Sequence, residues 1–241
     1  MNKSKIEWTD YTLNPVKGLC PMACSYCYAR RMYKRFHWDE TIREDVSVYD
    51  QLDKMNAGSK VFVGSTMELF GEWVTPLMRS NIFHVVEMYP DLTFIFLTKQ
   101  PQNLPSKFPD NCWVGVSIPR AYDDTVVGHF EAFKRISALG QVSTTVKFIS
   151  FEPLLESIAS EFSFGLETPL NAYGITWLII GQQTPSSPKT RPQMSWIQDI
   201  LVAAHNAGDI PVFMKNNLQP LLTGAWSGWK LRQEFPRLTD K

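Results

Sequence analysis

The sequence has no surplus of charge of either sign. Its 24 Lys and Arg against 24 Asp and Glu leave a formal net charge of zero at pH 7, with a pI of about 6.9. That balance excludes a global attraction to nucleic acid or to an anionic membrane, so any such binding has to be local. Long apolar runs are missing too. No stretch is long enough to cross a bilayer, and Met1 to Asp10 carries acidic residues where a signal peptide needs an apolar run. The expectation is a cytoplasmic protein with no membrane partner. No Gly/Ser-rich linker or repeat period interrupts the 241 residues, so residues 1–241 read as a single domain. Cysteine is scarce, at four, and its three-plus-one clustering makes a poor disulfide framework but suits a reducing compartment.

Three of those thiols crowd into Cys20-Pro21-Met22-Ala23-Cys24-Ser25-Tyr26-Cys27. Thiolates this close can hold one inorganic centre, and their softness limits the choice to an iron-sulfur cluster, zinc or copper(I). A closed zinc site needs a fourth ligand, which would have to be Cys112, His37 or a residue that no local spacing announces. A cubane on three cysteines instead leaves one iron open. Behind the loop, Ala29, Met32, Tyr33 and Phe36 recur at the spacing of an amphipathic helix. Arg30, Arg31, Lys34 and Arg35 form its other face, which either is solvated or lies against an anion.

Further on, apolar runs and helical stripes alternate. Strands are expected at Tyr11 to Val16, Lys60 to Gly64, Leu92 to Leu97, Cys112 to Ile118, Val146 to Phe151, Thr176 to Gly181 and Ile210 to Met214. Thr75-Pro76 caps a helix with a stripe of Met78, Ile82, Val85, Val86 and Tyr89. A second helix is lined by Val126, Val127, Phe130, Phe133 and Ile136 and ends at Gly140. A third, from near Ser195, buries Ile197, Ile200, Leu201 and Ala204. This alternation implies parallel crossovers, in either a doubly wound sheet or a full or partial (β/α) barrel. About six to seven strands, and Pro211 in the last of them, agree with an open barrel. The tail from about residue 218 to 241, with Trp226, Trp229 and Phe235, is aromatic enough to dock. In parallel barrels reactive groups gather at the strand ends. Here those ends offer the cysteine loop, Gly64 to Glu68, Thr98-Lys99, Ser117, Ser150 with Glu152, Gly181 to Thr184, and Lys215.

The C-x3-C-x2-C spacing, with Tyr26 before the last cysteine, resembles the signature of the radical S-adenosylmethionine (SAM) superfamily. Trp8-Thr9-Asp10, Asn14-Pro15, Cys27-Tyr28-Ala29, Leu97-Thr98-Lys99, Gly115-Val116-Ser117, Ser150 to Leu154 and Arg191-Pro192 extend the resemblance, to an uncharacterised, phage-associated branch. It implies an open partial (β/α) barrel in which Cys20, Cys24 and Cys27 hold a 4Fe-4S cluster. The open iron would bind SAM, whose reductive cleavage gives a 5′-deoxyadenosyl radical that acts on a substrate the sequence does not name. By the same resemblance Tyr26, Gly64, Ser65, Glu68 and Ser117 border the SAM. The run Gly64-Ser65-Thr66-Met67-Glu68 stands where such proteins often show Gly-Gly-Glu-Pro, and Gly181 to Ser186 lacks the carboxylate usual in this branch.

Lys99, Glu152 and Lys215 are the catalytic candidates, and Arg191, Gln182 and Gln183 the candidates for substrate binding. Lys99 with Glu152 also reads as a structural ion pair. Such an enzyme needs an external electron donor, flavodoxin- or ferredoxin-like. The alternative is a non-catalytic iron-sulfur or zinc protein that binds a nucleic acid or a partner protein through the basic helix face.

Overall fold

The computed structural model of the chain describes residues 3–120 and 131–238. Seven strands form one sheet in the order β1-β4-β5-β6-β7-β8-β9, so sequence neighbours stay spatial neighbours and no reversal point occurs. With parallel pairing this is a singly wound arrangement, an open α/β partial barrel. The chain groups into two compact units, Met1–Val114 with Ser143–Thr145, and Gly115–Val142 with Val146–Lys241.

The first unit starts with β1 (Tyr11–Leu13), shorter than its apolar run because Asn14-Pro15 breaks the ladder. The chain resumes as β2 (Val16–Lys17), which pairs antiparallel with β3 (Arg43–Glu44). The cysteine loop and α1 (Tyr28–Phe36) are therefore an insertion clamped by a two-stranded ribbon. Gly18 lies inside the clamp with φ +112°, and a Cβ there would stand 2.7 Å from the Thr41 oxygen and the Ile42 Cα. Only glycine fits.

On α1, Ala29 and Tyr33 are buried as expected, but Phe36 is 50% exposed. His37 adopts a left-handed cap that turns Trp38 back onto Phe36, so that the Phe36 ring meets Trp38 in a stack instead of the core. A 3-10 turn (Val46–Lys54) leads to β4 (Lys60–Val63). Next comes α2 (Pro76–Met88), capped by the Thr75 hydroxyl accepting from the Met78 N–H at 3.2 Å. Of its predicted stripe Ile82 and Val86 are buried; Met78, Val85 and Tyr89 are half-buried. β5 (Thr93–Thr98) follows, and β6 (Cys112–Ser117) is buried throughout.

In the second unit α3 (Glu131–Gly140) buries Ala132, Ile136 and Leu139. Phe133 is exposed instead, held at the surface by an edge contact with Tyr173. Val126, Val127 and Phe130, expected on the same helix, lie outside the described residues. β7 (Val146–Phe151), the short α4 (Glu167–Ala172), β8 (Trp177–Ile180), α5 (Met194–Asn206) and β9 (Val212–Met214) complete the order. All of β8 is buried, as a strand covered on both faces must be. On α5 Ile197, Ile200 and Ala204 are buried with Ala203, while Leu201 is half-buried. Pro211 precedes β9 rather than lying within it.

The tail runs along β9. Met214 N–H donates to the Arg232 carbonyl and Glu234 N–H to the Val212 carbonyl, and Phe235 stacks on Trp177 at 5.8 Å. The missing neighbour of an edge strand is thus supplied by residues 232–235.

Candidate functional site

In the first unit every predicted strand-end residue is tied to a neighbour. Cys27 caps α1, its Sγ accepting from the Arg30 N–H at 3.5 Å. The Arg30 guanidinium reaches back to the Cys20 carbonyl at 2.7 Å, and the Tyr33 hydroxyl accepts from Gly18 N–H at 2.9 Å. Cys20 Sγ accepts from the Glu68 N–H at 3.4 Å. Burial pushes the Cys20 thiol up from its ordinary pKa, and the backbone donors at Glu68 and Met22 oppose that rise. All three cysteines are free and line one small concavity, of about 20 Å³.

Glu68 is buried, and its carboxylate is engaged. Oε1 accepts from the Thr98 hydroxyl at 2.6 Å and from Phe70 N–H at 3.2 Å, and Oε2 from Lys99 N–H at 2.8 Å. It fastens the end of β4 to the end of β5. Gly64 has φ +79°, but the space a Cβ would fill is taken by Leu69, 2.6 Å away, so its missing side chain serves packing. The Ser65 hydroxyl donates to Asn14 Oδ1 at 3.1 Å, and its carbonyl accepts from the Tyr28 hydroxyl at 2.9 Å. Lys99 holds its ammonium 5.9 Å from the Tyr26 ring centroid, in cation-π range. Cys112 is fully buried, and burial drives its thiol up to about 12, which leaves it an inert apolar filler.

In the second unit Glu152 pairs with Lys215, a lysine other than the Lys99 expected as its partner. Register explains the pair. Ser150 aligns with Ile179, and Ile179 with Phe213, so two residues further on Glu152, Gly181 and Lys215 share one layer of the same sheet face. A Cβ on Gly181 would lie 3.0 Å from Cδ of both Glu152 and Lys215. The glycine is what lets the two side chains meet. Ser117 is buried; its hydroxyl donates to the Glu152 carbonyl at 3.3 Å, and its carbonyl accepts from Arg135 at 2.8 Å. Gln182 is buried and laced to Asn217, whose Nδ2 donates to its carbonyl at 2.8 Å. Gln183 is half-buried, and Arg191 is exposed on the segment before α5. Ser150 Oγ and Gln182 Oε1 are buried without a hydrogen-bond partner among the described residues.

Residues 3–227 match the profile of a family described as Protein of unknown function (DUF5131). The chain belongs to that family. No curated protein matches it. Among solved structures it is similar to spore photoproduct lyase complexed with dinucleoside spore photoproduct, at 12% identity over 88% of this chain and 78% of that one, with a TM-score of 0.55. A tyrosine-to-phenylalanine mutant of the lyase gives 0.58 at 12% identity over the same shares. A cysteine-to-serine mutant gives 0.54 at 16% identity, over 74% of this chain and 57% of that one. The likeness shows the fold alone, an open α/β partial barrel shared with that lyase.

Among the described residues no group of three or more His, Cys, Asp or Glu side chains is already closed around a common point as a metal site. The donor set nonetheless fits an iron-sulfur cluster. It offers three free thiols on one clamped loop, two of them already accepting backbone N–H bonds of the kind that stabilise thiolates. Sequence reasoning missed Asn14 and Gly181 as organisers. Asn14 Oδ1 gathers three donors from Ser65 and Thr66, at 3.1 to 3.2 Å, and no local pattern signals a contact 51 or 52 residues away.

Proposed function

We propose that the chain is a radical SAM-type enzyme, with Cys20, Cys24 and Cys27 as ligands of a 4Fe-4S cluster and S-adenosylmethionine as co-substrate. The observation that carries the reading is the clamped loop of three free thiols in a chain of radical SAM-like fold. When bound, the cluster and SAM supply reductive cleavage of the sulfonium and hydrogen-atom abstraction.

The chain's own residues bind and orient. Backbone N–H groups of Glu68 and Arg30 support two of the cysteine sulfurs. In the first unit Tyr26, Gly64 and Ser65 would border the SAM, with Glu68 as a strut, because its carboxylate is already engaged by the β5 end; in the second unit Ser117 would contribute a hydroxyl. Lys99, Glu152 and Lys215 supply charge for a polar substrate, to which Gln182, Gln183 and Arg191 add hydrogen-bonding groups. Buried, unpartnered Ser150 Oγ and Gln182 Oε1 favour a ligand that donates and accepts hydrogen bonds. An external flavodoxin- or ferredoxin-like protein provides the electron.

Anaerobic purification with iron and sulfide analysis, then reduction with SAM, tests the reading. A brown protein that forms 5′-deoxyadenosine is expected, faster with substrate because a filled site excludes water. A colourless protein with stoichiometric zinc, or an intact cluster that fails to bind SAM, overturns it.

A further inference from the structure

The stretch 28–38 carries four Arg and Lys and no carboxylate, in a chain whose overall charge is zero. It also holds three large side chains that the core does not use. Tyr28, Phe36 and Trp38 are 46%, 50% and 42% exposed. Phe36 and Trp38 stack with centroids 5.5 Å apart and planes at 23°, and the Arg35 guanidinium lies 5.3 Å over the Phe36 ring. Beside this stack a groove of about 590 Å³ is lined by Arg30, Arg31, Lys34, His37, Trp38 and one carboxylate, Glu40.

We propose that this outer face of α1, with the turn to Trp38, binds single-stranded nucleic acid. Cations along a groove match phosphates, and exposed rings offer faces to unstacked bases, which is the pairing of features that sequence-tolerant single-strand binding needs. An acidic protein would satisfy the cations and leave the rings wet, and a duplex keeps its bases stacked on each other. Arg30 reaches the Cys20 carbonyl, and the phosphate contacts are the cations at exposed positions, Arg31, Lys34 and Arg35. About three contacts on a single strand give a slope of log affinity against log salt of about −2, hence a loss of about 20-fold between about 50 and 200 mM.

The test is fluorescence anisotropy of the full chain, prepared without iron, with a labelled oligothymidylate about 12 nucleotides long. Measured so, the outcome is separate from that of the cluster reading. Arg31→Glu and Lys34→Glu, both at exposed positions, should each weaken binding at least about 5-fold and flatten the salt slope by about 0.7. Trp38→Ala should cost about 10-fold, and Phe36→Ala gives an independent reading if that variant folds poorly. Lys134→Glu, exposed on α3, should leave the affinity within about 2-fold of the parent. No binding at about 20 mM salt, equal competition by duplex or by polyglutamate, or ring and charge variants that bind like the parent would each overturn the proposal.

Discussion

Replacing Glu68 by alanine separates two roles for a carboxylate beside the cysteine loop, a strut or a ligand. As a strut it accepts from Thr98, Phe70 and Lys99 while buried. Its loss leaves the Phe70 and Lys99 N–H groups without acceptors, at about 1–3 kcal/mol each, whereas the Thr98 hydroxyl can rotate. A total of about 2–6 kcal/mol corresponds, at about 2–4 °C per kcal/mol for a chain of this size, to a melting point lower by about 10 °C. Glu68→Gln keeps one acceptor oxygen and should cost about half as much. Circular dichroism melts of the iron-free chain measure both. The same loss loosens the N–H donor to Cys20, so alkylation followed by peptide mass analysis should find Cys20 more reactive and Cys112 unchanged. Melting within about 2 °C of the parent with unaltered Cys20 reactivity would refute the strut. A Gln variant of parental stability that no longer binds SAM would make Glu68 a ligand group instead.

Cys24→Ala should abolish iron binding and Cys112→Ala should retain it, because Cys112 is a buried filler; equal iron loss in both would sink the three-ligand assignment. Gly181→Ala should lower catalytic turnover more than stability, since its Cβ would press on Glu152 and Lys215 at 3.0 Å; crystal structures with the pair undisturbed would contradict this. The Cys112 thiol sits at about 12 in the folded chain against an ordinary 9.0, so its stabilisation is whole below about pH 9 and lost as pH rises toward 12. Urea midpoints at about pH 8 and 10.5 should therefore diverge more in the parent than in Cys112→Ala, and parallel behaviour would remove the linkage.

Much of the architecture was legible because it rests on local periodicity. The apolar runs that became β4 to β9 and the Thr75-Pro76 cap are short-range signals. Solvent exposure was harder to read. Phe36 and Phe133 fit helical stripes, yet both lie where their helix leaves the core, and nothing within one turn of sequence records that. The ribbon Val16–Lys17 with Arg43–Glu44 was invisible because two-residue strands have no period, and its register depends on residues about 26 to 28 positions apart. The cysteine loop was legible as a ligand set by its spacing. Its partners were not, since Glu68 reaches Cys20 across 48 residues.

The polar residues at the strand ends divide into two kinds, and the division bears on chemistry. In the first unit Asn14 is satisfied by Ser65 and Glu68 by Thr98, two closed pairs that fix the backbone on which Cys20 rests. Such closed networks hold a cofactor's ligands in place, but each acceptor is already occupied and has little left for a substrate. In the second unit Glu152 and Lys215 meet over a glycine, and Ser150 Oγ and Gln182 Oε1 stay unpaired although buried. A buried polar atom without a partner costs about 1–3 kcal/mol, so two of them, one on β7 and one just beyond the end of the neighbouring β8, are a cost that an incoming ligand's donors and acceptors would relieve. If that is their use, Ser150→Ala, which removes one such atom, should stabilise the ligand-free chain slightly while weakening substrate binding. A loss of stability in that variant would show instead that the hydroxyl is held by an internal water.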